Sequence, residues 1–278
     1  MVAEENGHPA VATTISVNGA ELFYRESGKG PTLLLVHGAG HDSQAWSPSL
    51  EDLARDHRVI AYDRRGYGGS SGAPLVGGWR QHGEDAAEII AKLDSAPIVV
   101  AGWSGGGNVA LHLGAEHPDL VRSLVLAETP LVRPFAVPAP VVWKFLLIRV
   151  QRLLRGDRAA AEAFARWVTS ENGSNTYDRP DYPQERREML LRNMPGLWAD
   201  FSVRRRPDLS DELLRRVYSR VTLVVGDMGQ PLFRRSAEAF AERLPDAIIT
   251  TITGSNHAFT FHQPERFAEA IRGAAAPT

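Results

Sequence analysis

The sequence predicts an α/β protein: a mostly parallel sheet with helices on both faces, interrupted by one inserted helical segment. Three observations lead there. Short runs rich in Leu, Val and Ile recur along the chain, each too continuously apolar for a strand with one wet face; such runs suit parallel strands covered above and below. Helical patterns separate them, and regular alternation of strand and helix is how a parallel sheet is built. The alternation lapses between about Leu131 and Arg220, where amphipathic helices and a polar loop follow one another with no strand candidate. The expected organisation is a core of residues 1–130 and 221–278, with 131–220 inserted as a helical cap.

Each element has its own reason. The first dozen residues, MVAEENGHPAVA, hold acids where a secretory segment needs bases and lead into no apolar stretch, so a loose start and a cytoplasmic location are expected. TTISV and AELFYRES flank Val17-Asn18-Gly19-Ala20, and Asn-Gly between alternating apolar residues marks a hairpin of two antiparallel strands. Further strands are expected at Thr32–Val36, Arg58–Tyr62, Pro97–Ala101, Ser123–Ala127, Val221–Val225 and Ile248–Ile252, and helices at Glu84–Leu93, Gly105–Glu116, Pro231–Leu244 and Pro264–Ile271. The greasy stretch Val141–Leu154 is broken by Lys144, Arg149 and Arg152 and is shorter than the roughly 20 apolar residues that cross a bilayer. It reads as an amphipathic helix. The loop from Asn172 to Pro183 is rich in turn formers and expected to be mobile. Residues 131–220 hold seventeen Arg or Lys against eleven Asp or Glu; a solvated helical surface accounts for that excess, with a site for an acidic substrate as the alternative.

Composition removes several function classes. The 31 basic and 33 acidic residues nearly cancel, so no global field favours nucleic acid or an anionic membrane. The absence of cysteine excludes disulfides, thiolate metal sites and a cysteine nucleophile. Neither an HExxH zinc signature nor a Walker-type phosphate loop occurs, so no metal and no organic cofactor is expected.

Gly102-Trp103-Ser104-Gly105-Gly106 matches G-x-S-x-G, following one predicted strand and opening a predicted helix. In that context the motif is a sharp turn that projects Ser104 from the sheet as a nucleophile, with the free N–H groups of the helix start behind it. Leu33-Leu-Leu-Val-His37-Gly38-Ala39-Gly40 ends another strand in a His-Gly step. The backbone N–H groups of Ala39 and Gly105 are the expected oxyanion hole, and one such donor is typically worth about 100 to 1000-fold in rate. His37 itself reads as a structural hydrogen-bonder.

These two segments, together with Asp63-Arg-Arg-Gly-Tyr-Gly-Gly-Ser70 and Gly254-Ser-Asn-His257, stand in the order and at the spacings of the α/β-hydrolase family, which the chain resembles over nearly its whole length. The resemblance implies an eight-stranded sheet, a cap over the active site, His257 as general base, and a loop-shaping role for the Asp63–Ser70 block. His262, the nearest rival base, opens the terminal helix and is expected to point away from Ser104.

The third member of the triad departs from the family's common pattern. The usual acid position after strand seven, in Val225-Gly226-Asp227-Met228-Gly229, holds Gly229, and Asp227 is displaced by two residues. Glu128, in Leu126-Ala127-Glu128-Thr129-Pro130 after strand six, stands where haloalkane dehalogenases and zearalenone lactonases carry their acid. The lactonase branch also keeps a serine nucleophile and a similar Glu-x-Pro context. Glu128 is preferred and Asp227 is the alternative. Trp103 and Trp46, joined by Trp143, Trp167 and Trp198 from the insertion, are candidate pocket walls. The expected activity is hydrolysis of a hydrophobic carboxylic ester or lactone through an acyl-enzyme. Serine at the elbow argues against dehalogenase and epoxide-hydrolase chemistry. Carbon–carbon hydrolysis, perhydrolysis and a non-catalytic receptor on the same fold are the alternatives, and the oligomeric state is left open.

Overall fold

The computed structural model describes residues 11–75, 78–93, 97–131, 139–171, 174–201, 209–244 and 246–275. The expected loose start, with the localisation read from it, therefore falls almost entirely outside the described residues.

The chain opens with the predicted hairpin, β1 (Val11–Val17) and β2 (Ala20–Ser27). Asn18 and Gly19 take φ of 45° and 73°, the two positive values that a two-residue hairpin turn requires. There follow β3 (Thr32–Val36), β4 (Arg58–Tyr62), β5 (Ile98–Trp103), β6 (Val121–Ala127), β7 (Arg220–Gly226) and β8 (Ile248–Ile252). All eight form one sheet, and β2 pairs with β1 and β4 antiparallel while the remaining pairs are parallel. In this numbering the strand order is β1-β2-β4-β3-β5-β6-β7-β8.

The continuous apolar runs are explained by burial on both faces. Leu34, Val36, Val100, Leu124 and Leu223 pack with α2 (Gly78–Leu93), α3 (Gly105–Glu116) and α8 (Pro231–Ala241). Their neighbours Leu33, Leu35, Val99, Val125 and Val224 pack with α1 (Ser47–Leu53) and α9 (Pro264–Ala275). Alternation of side chains across the pleat sends one set to each helical layer.

Between β6 and β7 lie α4 (Ala139–Val168), α5 (Gln184–Arg192), α6 (Met194–Asp200) and α7 (Asp211–Leu214). Helix α4 breaks at Gly156, whose φ is 82°. Contrary to the sequence reading, this region does hold strands: Ser170–Glu171 and Ser174–Asn175 pair as an antiparallel ribbon, too short to leave an apolar alternation. The polar loop is internally hydrogen-bonded where it is described. The Asn175 side chain bonds Asp178 through both its oxygen and its nitrogen, each at 2.9 Å, and Arg187 donates to the Tyr177 carbonyl at 2.7 Å.

Phe164, Val168, Tyr177, Leu190 and Leu197 form a separate apolar cluster within the insertion, and Ala39 of the core joins it. Leu209, Leu213, Leu214 and Val217, also inside the 131–220 span, pack instead with the sheet. Two polar ties, each centred on a buried carboxylate, fasten α5 and α6 to the core. Asp200 accepts from Arg64 at 3.0 Å, Tyr67 at 2.6 Å and His82 at 3.2 Å. Asp42 accepts from Arg192 at 2.7 Å and from Asn193 at 3.0 Å. The first half of α4 has no comparable cover: Trp143 is 63% exposed and Leu153 84%. No described helix is long and apolar enough to cross a membrane.

Candidate active site

The carboxyl ends of the parallel strands lie at one edge of the sheet, where ligands bind in open α/β folds. Four of the sequence-predicted groups emerge there: His37-Gly38-Ala39 after β3, Ser104 after β5, Glu128 after β6 and His257 in the turn beyond β8.

Ser104 joins β5 directly to α3 with φ 53° and ψ −121°. This conformation is costly for a residue with a Cβ, and strain of this kind persists only where its surroundings enforce it. Its N–H donates to the Ala127 carbonyl at 2.8 Å, and its own carbonyl accepts from Gly107 at 3.0 Å. Close approach explains the glycines behind it: a Cβ on Gly106 would overlap the Val36 carbonyl oxygen, and one on Gly107 would overlap the Thr129 hydroxyl. The need at Gly107 was not legible in the G-x-S-x-G pattern, because Thr129 reaches it from the end of β6.

A Cβ built on Gly38 would lie 3.0 Å from the Ser104 Cβ, and one on Gly105 3.5 Å from the Ala39 nitrogen. The Ala39 and Gly105 backbones therefore stand side by side next to Ser104. Gly105 is the first residue of α3, so its N–H has no acceptor within the helix. His37 is occupied at both nitrogens: Nδ1 donates to the Gly38 carbonyl at 2.8 Å and Nε2 accepts from the Arg64 N–H at 2.9 Å. Burial, reinforced by the charge of Arg64, holds its pKa well below the usual histidine value. It is a neutral brace for the turn.

Glu128 and His257 meet, with Glu128 Oε2 2.8 Å from His257 Nδ1. The other carboxylate oxygen accepts from the Gly226 N–H at 2.9 Å, and both side chains are almost wholly buried. Glu128 also takes a positive φ of 42°, while its own N–H is fixed on the Val224 carbonyl at 2.8 Å. A carboxylate on Nδ1 holds a proton there and leaves Nε2 as the basic nitrogen. Asp227 is engaged elsewhere: its Oδ1 accepts from the N–H groups of Gly254 at 2.7 Å and Ser255 at 3.4 Å, closing the turn that leads to His257. His262 bonds the Thr176 hydroxyl at 3.1 Å.

The His257 ring lies between two aromatics, stacked on Phe233 at 4.2 Å and tilted against Trp103 at 5.3 Å. Phe233 was not singled out in the sequence, where it reads as one more apolar residue of α8. The pocket above this ring is lined by Trp103 and His257 together with His41, Phe164, Val168 and Arg186. Of the five tryptophans expected to wall it, only Trp103 does so among the described residues. Trp46 is fully buried and stacked on Phe267 at 5.7 Å. Trp143 points to solvent, Trp167 packs against Phe145 at 5.1 Å, and Trp198 lies beneath Arg152 at 4.8 Å. Aromatic type alone does not tell a pocket wall from a core residue. His41 and Arg186 were missed as well; for Arg186 the mild basic excess of the insertion was the available signal. His41 Nδ1 donates to the Ala39 carbonyl at 3.0 Å, and the ring packs edge-on against Trp103 at 4.6 Å. Burial and then the Arg186 charge bring its pKa down to about 4.

Residues 33–270 match the model of a family described as the alpha/beta hydrolase family. A pimeloyl-[acyl-carrier protein] methyl ester esterase of Vibrio atlanticus is 28% identical over 269 residues, which cover 90% of this chain and 96% of that protein. An uncharacterized hydrolase, YraK, of Bacillus subtilis is 36% identical over 122 residues, 43% of this chain and 45% of that one. Among solved structures, a thermophilic esterase from Thermogutta terrifontis superposes with a TM-score of 0.78 at 27% identity, covering 95% of this chain and 97% of its own.

Proposed function

Because the chain belongs to the α/β-hydrolase family, we propose that it is a serine hydrolase that cleaves a carboxylic ester through an acyl-enzyme on Ser104. The observation that carries this reading is the Glu128–His257 contact of 2.8 Å, which supplies an oriented base at the strand ends where the strained Ser104 turn also emerges.

The steps follow from the groups in place. His257 Nε2 takes the Ser104 hydroxyl proton as the oxygen attacks the substrate carbonyl. Negative charge on that carbonyl oxygen is held by the N–H groups of Ala39 and Gly105, and the imidazolium is stabilised by Glu128. The imidazolium then protonates the departing alcohol. Water repeats the sequence on the acyl-enzyme and releases the acid. Both oxygens of the Glu128 carboxylate are held, one by His257 and the other by the Gly226 N–H, which fixes the carboxylate against the imidazole. A lactone is an ester closed on itself and would pass through the same steps. The helical insertion serves as the cap, since Phe164, Val168 and Leu190 supply apolar walls to the pocket.

The test is intact-mass analysis after exposure to a fluorophosphonate. One adduct is expected on the native protein and none on Ser104→Ala, with His257→Ala labelled slowly or not at all. Equal labelling of the native and Ser104→Ala proteins, or no labelling of either, would overturn the assignment.

A further inference from the structure

Burying a cation without an anion beside it is unfavourable, and natural interiors avoid it. The described arginines mostly obey. Arg64 is wholly buried with Asp200 at 3.0 Å, and Arg65 is buried with Asp85 at 2.6 Å. Arg186 is the exception. It sits near the start of α5, 7% exposed, and no carboxylate of a described residue forms an ion pair with it. Its guanidinium donates to the carbonyl of Ala45 at 3.1 Å, and to the carbonyl and hydroxyl of Thr260 at 3.4 Å each. All three acceptors are neutral. Burial lowers its pKa, yet a guanidinium does not give up its proton in a protein, so the charge stays and lacks a counter-ion.

The location gives that charge a use. Arg186 lines the same pocket as His257, and the wall around them is largely apolar, with Phe164, Val168 and Leu190. A neutral side chain such as glutamine could tie α5 to Ala45 and Thr260 without the penalty of desolvating an ion. A permanent cation in the pocket is accounted for when the missing anion arrives with the substrate.

We infer that Arg186 is the recognition site for a carboxylate on the substrate, so that the ester cleaved at Ser104 carries an anionic group at the far end of an apolar chain, as in the monoester of a dicarboxylic acid. This assignment rests on the proposed role of Ser104 and His257 and specifies what that site accepts. Burial, and after it the positive charge of Arg186, suppresses protonation of His41, so these two groups present one fixed cation rather than a titrating pair.

The experiment compares kcat/KM for the mono-para-nitrophenyl ester of adipic acid with that for para-nitrophenyl hexanoate, which has the same chain length and no charge. A preference of about tenfold or more for the anionic ester is expected, the scale of one charge-assisted contact. Arg186→Gln should reduce that ratio by about the same factor, whereas Arg186→Lys, which keeps the charge and loses the guanidinium's fork, should retain most of it. A native preference for the neutral ester, or a ratio unchanged in Arg186→Gln, overturns the inference and leaves Arg186 as a tie between helix and core. Failure of the hydrolase reading looks different, because neither ester would then turn over. In that event calorimetric binding of monomethyl adipate to Ser104→Ala reads the subsite without chemistry: binding weakened about tenfold or more by adding Arg186→Gln supports it, and equal binding of the two proteins overturns it.

Discussion

Glu128 and Asp227 show how two acids at neighbouring strand ends come to differ in their contacts. Glu128 is buried, gripped at one oxygen by the Gly226 N–H and at the other by His257. Asp227 faces the opposite way along the turn and caps the N–H of Gly254. Glu128→Gln is expected to lower kcat by about 1000-fold or more, the range seen when the acid behind a general-base histidine is neutralised. Asp227→Ala should instead cost about 1 kcal/mol of stability through the lost turn contacts, with a much milder effect on turnover. Steady-state ester hydrolysis paired with urea unfolding separates the two, and the reverse ranking in kcat would refute the assignment. The serine and histidine were readable because each occupies a motif whose neighbours are constrained by turn geometry. Phe233, His41 and Arg186 were not, since each gains meaning only from a partner far away in sequence.

At the scale of strands and helices, five buried strand runs and the opening hairpin were legible because covering a strand on both faces leaves an unmistakable apolar block, whereas the sixth run, β8, is an edge strand buried only at Ile252. The two-residue ribbon in the insertion was not, because elements so short are held by their neighbours and leave no period of their own. Register explains why the acid can move between strands. A Cβ on Gly229 would stand 3.5 Å from Glu128 Oε1, so a carboxylate arriving from the end of β7 and one arriving from β6 compete for one location. Glu128→Ala should therefore be partly rescued by Gly229→Asp, with about a tenfold or greater recovery of kcat over the single variant, as expected where a restored charge contact is worth about 1.4 kcal/mol. Gly229→Asp alone should lower activity, because two carboxylates would then crowd the same histidine. Absence of any rescue would argue that β7 cannot deliver an acid to His257.

For the molecule as a whole, the interior is built to keep His37 and His82 neutral and Asp200 charged. Burial, followed by the nearby Arg64, lowers the pKa of both His37 and His82. Burial alone would raise the Asp200 carboxyl, but Arg64, His82 and Tyr67 outweigh it and bring it to about 2. All three groups bind protons more weakly when folded than when unfolded. The stability they confer is thus complete above the unfolded histidine range and drains away as pH falls, first through the histidines and then, below the ordinary aspartate range, through Asp200. The free energy of unfolding should decline below about pH 6.5, with a slope of up to about 1.4 kcal/mol per pH unit for each buried histidine that protonates on unfolding. Urea titrations at several pH values check this, and His82→Asn should flatten the slope; a stability independent of pH across that range would contradict it. The same economy of contacts bears on how the pocket opens. Asn256, the residue before His257, donates to the Thr169 carbonyl at 3.2 Å, to Glu171 at 2.6 Å and to Thr176 at 2.7 Å, all in the insertion. The ribbon and the histidine are consequently one mechanical piece. Lifting that part of the insertion would shift His257 with it, whereas the forward half of α4, parted from the rest of the helix at Gly156, carries its exposed Trp143, Leu153 and Leu154 free, among the described residues, of any such tie to the His257 turn.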